Sequence, residues 1–94
     1  MKTETGYLLV VDDNEMNRDM LSRRLISRGN RVDQAVDGHE ALDMIQKNKY
    51  DLILLDVMMP EISGLEVLQN IRQQSTLADL PVIMVTARDQ SEDV

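Results

Sequence analysis

Polar residues that could do chemistry follow directly on three short apolar runs of this 94-residue chain. The runs and the residues after them are Tyr7–Val11 before Asp12 and Asp13, Leu52–Leu55 before Asp56, and Val82–Val85 before Thr86. If the runs are neighbouring parallel strands, their carboxyl ends meet at one edge of a sheet, and the carboxylates converge there with the hydroxyl. Converging carboxylates repel each other, and a divalent cation such as Mg²⁺ or Mn²⁺ relieves that repulsion. The spacing therefore predicts a metal site, and a carboxylate beside the metal can also accept a phosphoryl group.

Each of these residues also has an ordinary structural explanation. Asp12 and Asp13 could complement the dipole of a following helix. Asp56 could be a turn aspartate, and Thr86 a β-branched residue at a strand end. For each aspartate taken singly, the structural explanation is the more favoured one. For Thr86, the structural and functional explanations are evenly balanced. The metal site is favoured because all of the acids follow buried strands, with nothing cationic nearby in the sequence to neutralise them.

The elements that must position these residues alternate between strand and helix, which is typical of a parallel α/β sheet. The predicted strands are Tyr7–Val11, Arg31–Val36, Leu52–Leu55 and Val82–Val85; the predicted helices start after Asn14, cover Glu40–Asn48, and run from Leu65 to near Gln74. Helical spacing assigns the apolar faces to Met16, Met20, Leu21 and Leu25, then Ala41, Leu42 and Ile45, then Leu65, Leu68 and Ile71. We expect Met58 and Met59 to pack in the loop after the third strand.

Composition narrows the classes of function. The net charge of −7 and the pI near 4.5 argue against direct binding of nucleic acid. The absence of cysteine excludes disulfides and thiolate chemistry. No run approaches the ~20 apolar residues of a membrane span, so we expect no membrane partner and a cytoplasmic location. The single histidine, His39, is predicted to be a solvated helix residue, and Lys47 and Lys49 lie at the wrong end of the third strand to stabilise phosphoryl charge.

The last residues, ARDQSEDV, read as the beginning of a helix. A doubly wound sheet does not usually finish there, so we expect a fragment of a longer domain. The less favoured alternative is that a partner molecule completes the sheet. The fourth strand would then be an exposed edge, through which the chain could associate with itself.

Four segments resemble the signatures of one family in the right order and spacing. LLVVDDNEMNR, AVDGHEAL, DLILLDVMMPEISGLEVL and LPVIMVTA are similar to the motifs of response-regulator receiver domains, the chemotaxis-type fold of two-component signalling. The resemblance implies a flavodoxin-like, doubly wound parallel sheet of strand order 2-1-3-4. It implies a single receiver domain over residues 1–94, incomplete at its C-terminus, where the fifth strand, its lysine and the last helices are missing.

The resemblance also implies roles for individual residues. Asp56 would be the phosphoacceptor, Thr86 the switch hydroxyl, and Ala87 a backbone amide that contacts the phosphoryl group. Metal ligation would come from Asp13 and Asp56 directly, Asp12 through water, and Met58 through its backbone carbonyl. The implied cofactor is Mg²⁺, with Mn²⁺ as a substitute. Pro60 and Gly64 would shape the loop, while the side chains of Met58 and Arg88 would tune the phosphoryl lifetime.

The implied partners are a sensor histidine kinase or a histidine phosphotransfer protein, and an output domain fused C-terminally. Such a domain assists its own phosphotransfer but is not an enzyme in the usual sense. One alternative is a receiver-like module that is no longer phosphorylated and only docks partners. Another is a metal-dependent phosphohydrolase, which is ranked last because Met58 occupies the position where those enzymes carry a general acid.

Overall fold

The computed structural model contains a four-stranded parallel sheet, and helices connect its strands along the chain. It describes residues 6–85 apart from the side chain of Ser75. The elements are β1 (Tyr7–Val11), α1 (Glu15–Ser27), β2 (Arg31–Ala35), α2 (Gly38–Lys47), β3 (Leu52–Asp56), α3 (Gly64–Arg72), a 3₁₀ turn (Ser75–Leu77) and β4 (Val82–Val85). The strand order is β2-β1-β3-β4, with every pair parallel. The predicted flavodoxin-like order is therefore confirmed for these strands. The helix expected after Thr86 falls outside the described residues.

The core lies around the two central strands. Leu9 of β1 and Ile53 and Leu55 of β3 are fully buried. The continuous apolar sequence of β3 is typical of a central parallel strand that is covered on both faces. Ala41 and Ile45 of α2 and Val67 and Ile71 of α3 complete this core. Within residues 6–85, every helix is too short or too polar to cross a lipid bilayer.

Side-chain caps set the starts of the helices. Asn14 accepts the Asn17 N–H at 2.8 Å and caps α1, as predicted. Helix α2 begins at Gly38 rather than Glu40 because the Asp37 side chain accepts the Glu40 N–H. A capping box between Ser63 and Glu66 starts α3.

The apolar pattern was wrong about which residues several elements bury. Met16 and Met20 of α1 are 76% and 50% exposed, whereas Ser22 is buried. Helix α1 thus turns a small polar residue toward the sheet and its methionines outward. Leu65 of α3 is likewise exposed, because Val67 and Ile71 form the inner face. In β2 the buried residue is Ala35, and Val36 lies beyond the strand.

A tyrosine–aspartate cluster (Tyr7, Asp33 and Tyr50) joins the strands near their amino ends. Both tyrosine hydroxyls donate to the same Asp33 oxygen, at 2.6 Å from Tyr7 and 2.7 Å from Tyr50. The rings are 4.6 Å apart between centroids, and the Arg31 guanidinium lies 4.2 Å from the centroid of Tyr7. The predicted strand over Arg31–Val36 gave no indication of this cluster.

Candidate metal centre

Three carboxylates meet at the carboxyl edge of the sheet. The register pairs Val11 with Leu55, so the ends of β1 and β3 lie side by side. One carboxylate oxygen from each of Asp12, Asp13 and Asp56 lies within 4.8 Å of the others. The sheet therefore brings together the three acids that the sequence pattern predicted to converge.

Backbone N–H groups orient two of these side chains. Asp12 Oδ1 accepts the Asn14 N–H at 2.8 Å, and Asp56 Oδ1 accepts the Met58 N–H at 3.2 Å. Asp12 and Asp56 are only 6% and 4% exposed, while Asp13 is exposed at the rim. The site thus has two held carboxylates and one that faces solvent.

The donor set fits a hard cation. Mg²⁺ binds oxygen at about 2.0–2.1 Å in octahedral geometry, so two oxygens on one ion are at most about 4.2 Å apart. The observed limit of 4.8 Å requires only a small inward rotation, or a water between one carboxylate and the ion. Burial of like charges at this distance also makes a bound cation electrostatically favourable.

Gly64 holds the loop after Asp56 close to the end of β3. A methyl group on Gly64 would overlap the backbone carbonyl oxygen of Asp56 and crowd Cα of Val57. The Gly64 N–H donates to the Val57 carbonyl at 3.0 Å, which closes the loop. Glycine is therefore required here for close approach of two backbone segments.

The same loop also contacts helix α2. A Cβ on Gly38 would meet the side chains of Val67 and Ile62, so α2 packs tightly against this region. His39 Nε2 lies 3.5 Å from a carboxylate oxygen of Glu61, which adopts a positive φ of 67°. His39 is exposed, as predicted for a solvated helix residue.

The remaining predicted site residues are only partly described. The Met58 side chain is exposed, whereas Met59 is buried, so the loop-packing prediction is correct only for Met59. The Val57 N–H donates to the Val85 carbonyl at 3.2 Å, which brings the end of β4 beside Asp56. Thr86, Ala87 and Arg88 lie outside the described residues, so their roles stay predictions.

The sequence pattern missed one residue at the site. Arg18 Nη1 donates to the Asp12 carbonyl at 2.9 Å, and its Nε donates to Gln34 Oε1 at 3.0 Å. A helical side chain leans toward the N-terminus of its helix. The position of an arginine about one helical turn after Asp12 and Asp13 could therefore have indicated this contact.

Comparison with known proteins identifies relatives of the whole described fold. The family described as the response regulator receiver domain matches residues 8–94. Response regulator MprA of Mycobacterium sp. (strain KMS) is 50% identical over 82 residues, which cover 87% of this chain and 35% of that protein. The chain thus spans about a third of the length of the curated relatives it matches.

Solved structures agree with this similarity. The chemotaxis response regulator CheY4 of Vibrio cholerae superposes with a TM-score of 0.85 at 37% identity, over 96% of this chain and 75% of that one. The response regulator TrrA of Thermotoga maritima, solved in complex with Mg²⁺-BeF, gives a TM-score of 0.83 at 38% identity. That match covers 95% of this chain and 76% of TrrA.

Proposed function

Because the chain belongs to the response regulator receiver domain family of two-component systems, we propose that Asp56 accepts a phosphoryl group from a phosphohistidine. The observation that carries this proposal is the convergence of the Asp12, Asp13 and Asp56 carboxylates within 4.8 Å. These residues would hold Mg²⁺, with Asp13 and Asp56 as direct ligands, Asp12 through water, and Met58 through its carbonyl. Mn²⁺ would substitute, because it takes the same oxygen ligands.

In the proposed transfer, an Asp56 carboxylate oxygen attacks phosphorus in line with the histidine nitrogen. The O–P bond forms, the P–N bond breaks, and the released imidazole keeps its electron pair and takes up a proton. The Met58 N–H fixes the direction of the Asp56 carboxylate through the 3.2 Å hydrogen bond. When bound, Mg²⁺ supplies neutralising charge for the phosphoryl oxygens. Thr86 would donate its hydroxyl to the phosphoryl group, and Ala87 its backbone N–H.

The proposed donor is a sensor histidine kinase or a histidine phosphotransfer protein. Thr86 moving toward the new phosphoryl oxygens would shift the conformational equilibrium of the adjacent surface. We propose that a C-terminal output domain reads this shift in the whole protein, which we place in the cytoplasm. The much greater length of MprA supports a further domain.

We further propose that β4 can pair with a second copy of the chain. Within the described residues β4 is an edge strand, and its Ile83 is 49% exposed. Solution scattering over a concentration series tests this. A mass that stays monomeric at every concentration would contradict self-association.

The phosphoacceptor is tested on a chain extended through the expected fifth helix, which is incubated with Mg²⁺ and acetyl phosphate before its intact mass is measured. We expect a gain of one phosphoryl group, which Asp56→Asn removes. Asp51→Asn is the matched control, because it makes the same change at an exposed position just before the same strand. A gain that persists in Asp56→Asn would reject the acceptor, and no gain in the wild type would favour a module that only docks partners.

A further inference from the structure

We propose that Arg18 is a positioning residue of the metal centre, which sets the relative orientation of Asp12 and Asp13. This inference rests on the proposed metal-dependent function of the site. The Arg18 guanidinium bonds the carbonyl of Asp12 at 2.9 Å and the side chain of Gln34 at 3.0 Å. Arg18 thereby ties α1 to the end of β1 and to β2.

The carbonyl of Asp12 is an effective point of control. It belongs to the planar peptide unit between Asp12 and Asp13, so fixing its oxygen fixes that plane. In the preceding peptide unit, the Asp12 N–H donates to the Ala35 carbonyl at 3.2 Å, so hydrogen bonds restrain the backbone on both sides of the Asp12 Cα. The direction of the Asp13 side chain depends on the peptide plane between Asp12 and Asp13 together with the φ and χ1 angles of Asp13. Because Asp13 is exposed, packing contributes little to its orientation.

The shape of arginine suits this role. Its planar guanidinium can donate in two fixed directions at once, and here one donor reaches Asp12 while another reaches Gln34. Gln34 therefore orients the guanidinium that in turn holds the Asp12 carbonyl. Lysine would keep the charge and could reach one acceptor, but it lacks this fork.

Positioning and simple charge predict opposite signs for metal binding. A positive charge near a cation site opposes the cation, so by Coulomb's law alone the loss of Arg18 would tighten Mg²⁺ binding. If Arg18 acts by holding the peptide plane, its loss leaves the carboxylates misaligned and weakens binding. The direction of the change therefore separates the two roles.

The test is a Mg²⁺ titration of Arg18→Met in which calorimetry measures the binding. We expect an affinity roughly 10-fold weaker than that of the wild type, the loss typical when a group that orients a metal ligand is removed. Arg18→Lys should recover part of the loss, because it can still donate to the Asp12 carbonyl. The control is Arg23→Met, which removes one charge from an exposed position of the same helix and should leave affinity unchanged. Unchanged or tighter binding by Arg18→Met would overturn the inference.

A second variant guards against misfolding of Arg18→Met. Gln34→Leu changes an exposed strand position and removes only the partner that orients the guanidinium, so we expect a smaller loss of roughly 2- to 3-fold in Mg²⁺ affinity. An affinity equal to that of the wild type would count against the proposed fork.

Hydrogen exchange of the Asn14 amide provides a readout without metal. That amide donates to Asp12 Oδ1, so Arg18→Met should expose it to faster exchange, whereas Arg23→Met should not. Failure of the wild type to bind Mg²⁺ or to become phosphorylated would reject the proposed function but not this result. Unchanged Asn14 exchange in Arg18→Met would reject the positioning role itself.

Discussion

The two ends of the sheet use carboxylates in opposite ways. At the amino end, one carboxylate oxygen of Asp33 accepts hydrogen bonds from two tyrosine hydroxyls in the tyrosine–aspartate cluster. At the carboxyl end, Asp12, Asp13 and Asp56 place like charges within 4.8 Å. The first arrangement stabilises the fold, and the second stores repulsion that a cation can relieve.

This difference shows why chemistry locates the functional site better than cavity size does. A cavity of about 650 Å³ lies toward the amino end, lined by residues that include Lys49, Tyr50 and Pro81. A smaller one of about 170 Å³ is lined by Asp12, Met20 and Val85 at the carboxyl end. The larger space has no matching group of converging acids among the described residues, so volume alone does not point to the proposed metal centre.

We expect the largest loss of stability and of Mg²⁺ binding from a change at Gly64, where two backbone segments meet at the carboxyl end of the sheet. Gly64→Ala drives a methyl group into the Asp56 carbonyl, so we expect a loss of about 3 kcal/mol or more in the free energy of unfolding, with loss of Mg²⁺ binding. Urea unfolding and a Mg²⁺ titration measure both. Gly29→Ala is the control, because Gly29 has a φ of 96° but open space around it, and it should cost only about 1 kcal/mol. Equal costs for the two variants would show that close approach to Asp56 is unimportant.

Changing one carboxylate to an amide at each end should give effects of opposite sign. Asp33→Asn weakens the hydrogen bond of the buried Tyr50 hydroxyl, and we expect a loss of about 1–2 kcal/mol in stability with Mg²⁺ binding intact. Asp13→Asn removes a repelling charge, and we expect a gain of about 1 kcal/mol without metal at low salt, with much weaker Mg²⁺ binding. Urea unfolding with and without Mg²⁺ measures both. A loss of stability in both variants would break the comparison.

High pH should act on the amino end of the sheet. The Asp33 hydrogen bond is the main cause that raises the pKa of Tyr7, and burial followed by the Asp33 hydrogen bond raises the pKa of Tyr50. The unfolded chain releases these protons near pH 10 while the folded chain keeps them, so stability is full below about pH 10 and falls as pH rises further. These are the only tyrosines of the chain, so tyrosinate absorbance measures them directly. If both tyrosines ionise near pH 10 while the chain stays folded, this account is contradicted.

The sequence predicted the carboxyl end much better than the amino end. Apolar runs followed by acids locate strand ends without any packing information, and parallel pairing then brings Asp12, Asp13 and Asp56 together. The tyrosine–aspartate cluster depends on the β1–β2 register and on the chain entering β3. Asp33, which lies 26 and 17 positions from its two partners, therefore appeared as an ordinary alternating residue.

Helix rotation was the other element that periodicity could not determine. Met16 and Met20 repeat at helical spacing, but the side of α1 that meets the sheet is set by its connections to β1 and β2. The resemblance named Gly64 as a loop residue, but helical spacing does not show why glycine is needed there, because the need arises from a backbone that folds back on Asp56. Contacts between distant segments therefore account for most of what the sequence left open.

The smallest expected effect tests whether a buried hydroxyl that binds no ligand only lowers the free energy of unfolding. Ser22 Oγ is buried in α1 and has no hydrogen-bond partner within the described residues. In contrast, Asp33 accepts two tyrosine hydroxyls, and Asp12 lies at the metal centre. Ser22→Ala removes an unsatisfied hydroxyl and improves helix propensity, so we expect a gain of up to about 1 kcal/mol in the free energy of unfolding.

Ser27→Ala is the control on the same helix, because the Ser27 hydroxyl donates to the Arg24 carbonyl at an exposed site. We expect it to change stability by less than about 0.5 kcal/mol. Urea unfolding compares the two variants, and Mg²⁺ affinity should equal that of the wild type in both. If Ser22→Ala loses stability or alters Mg²⁺ binding, the hydroxyl has a partner or a role at the carboxyl end. The division between a stabilising end and a binding end would then have to include the inner face of α1.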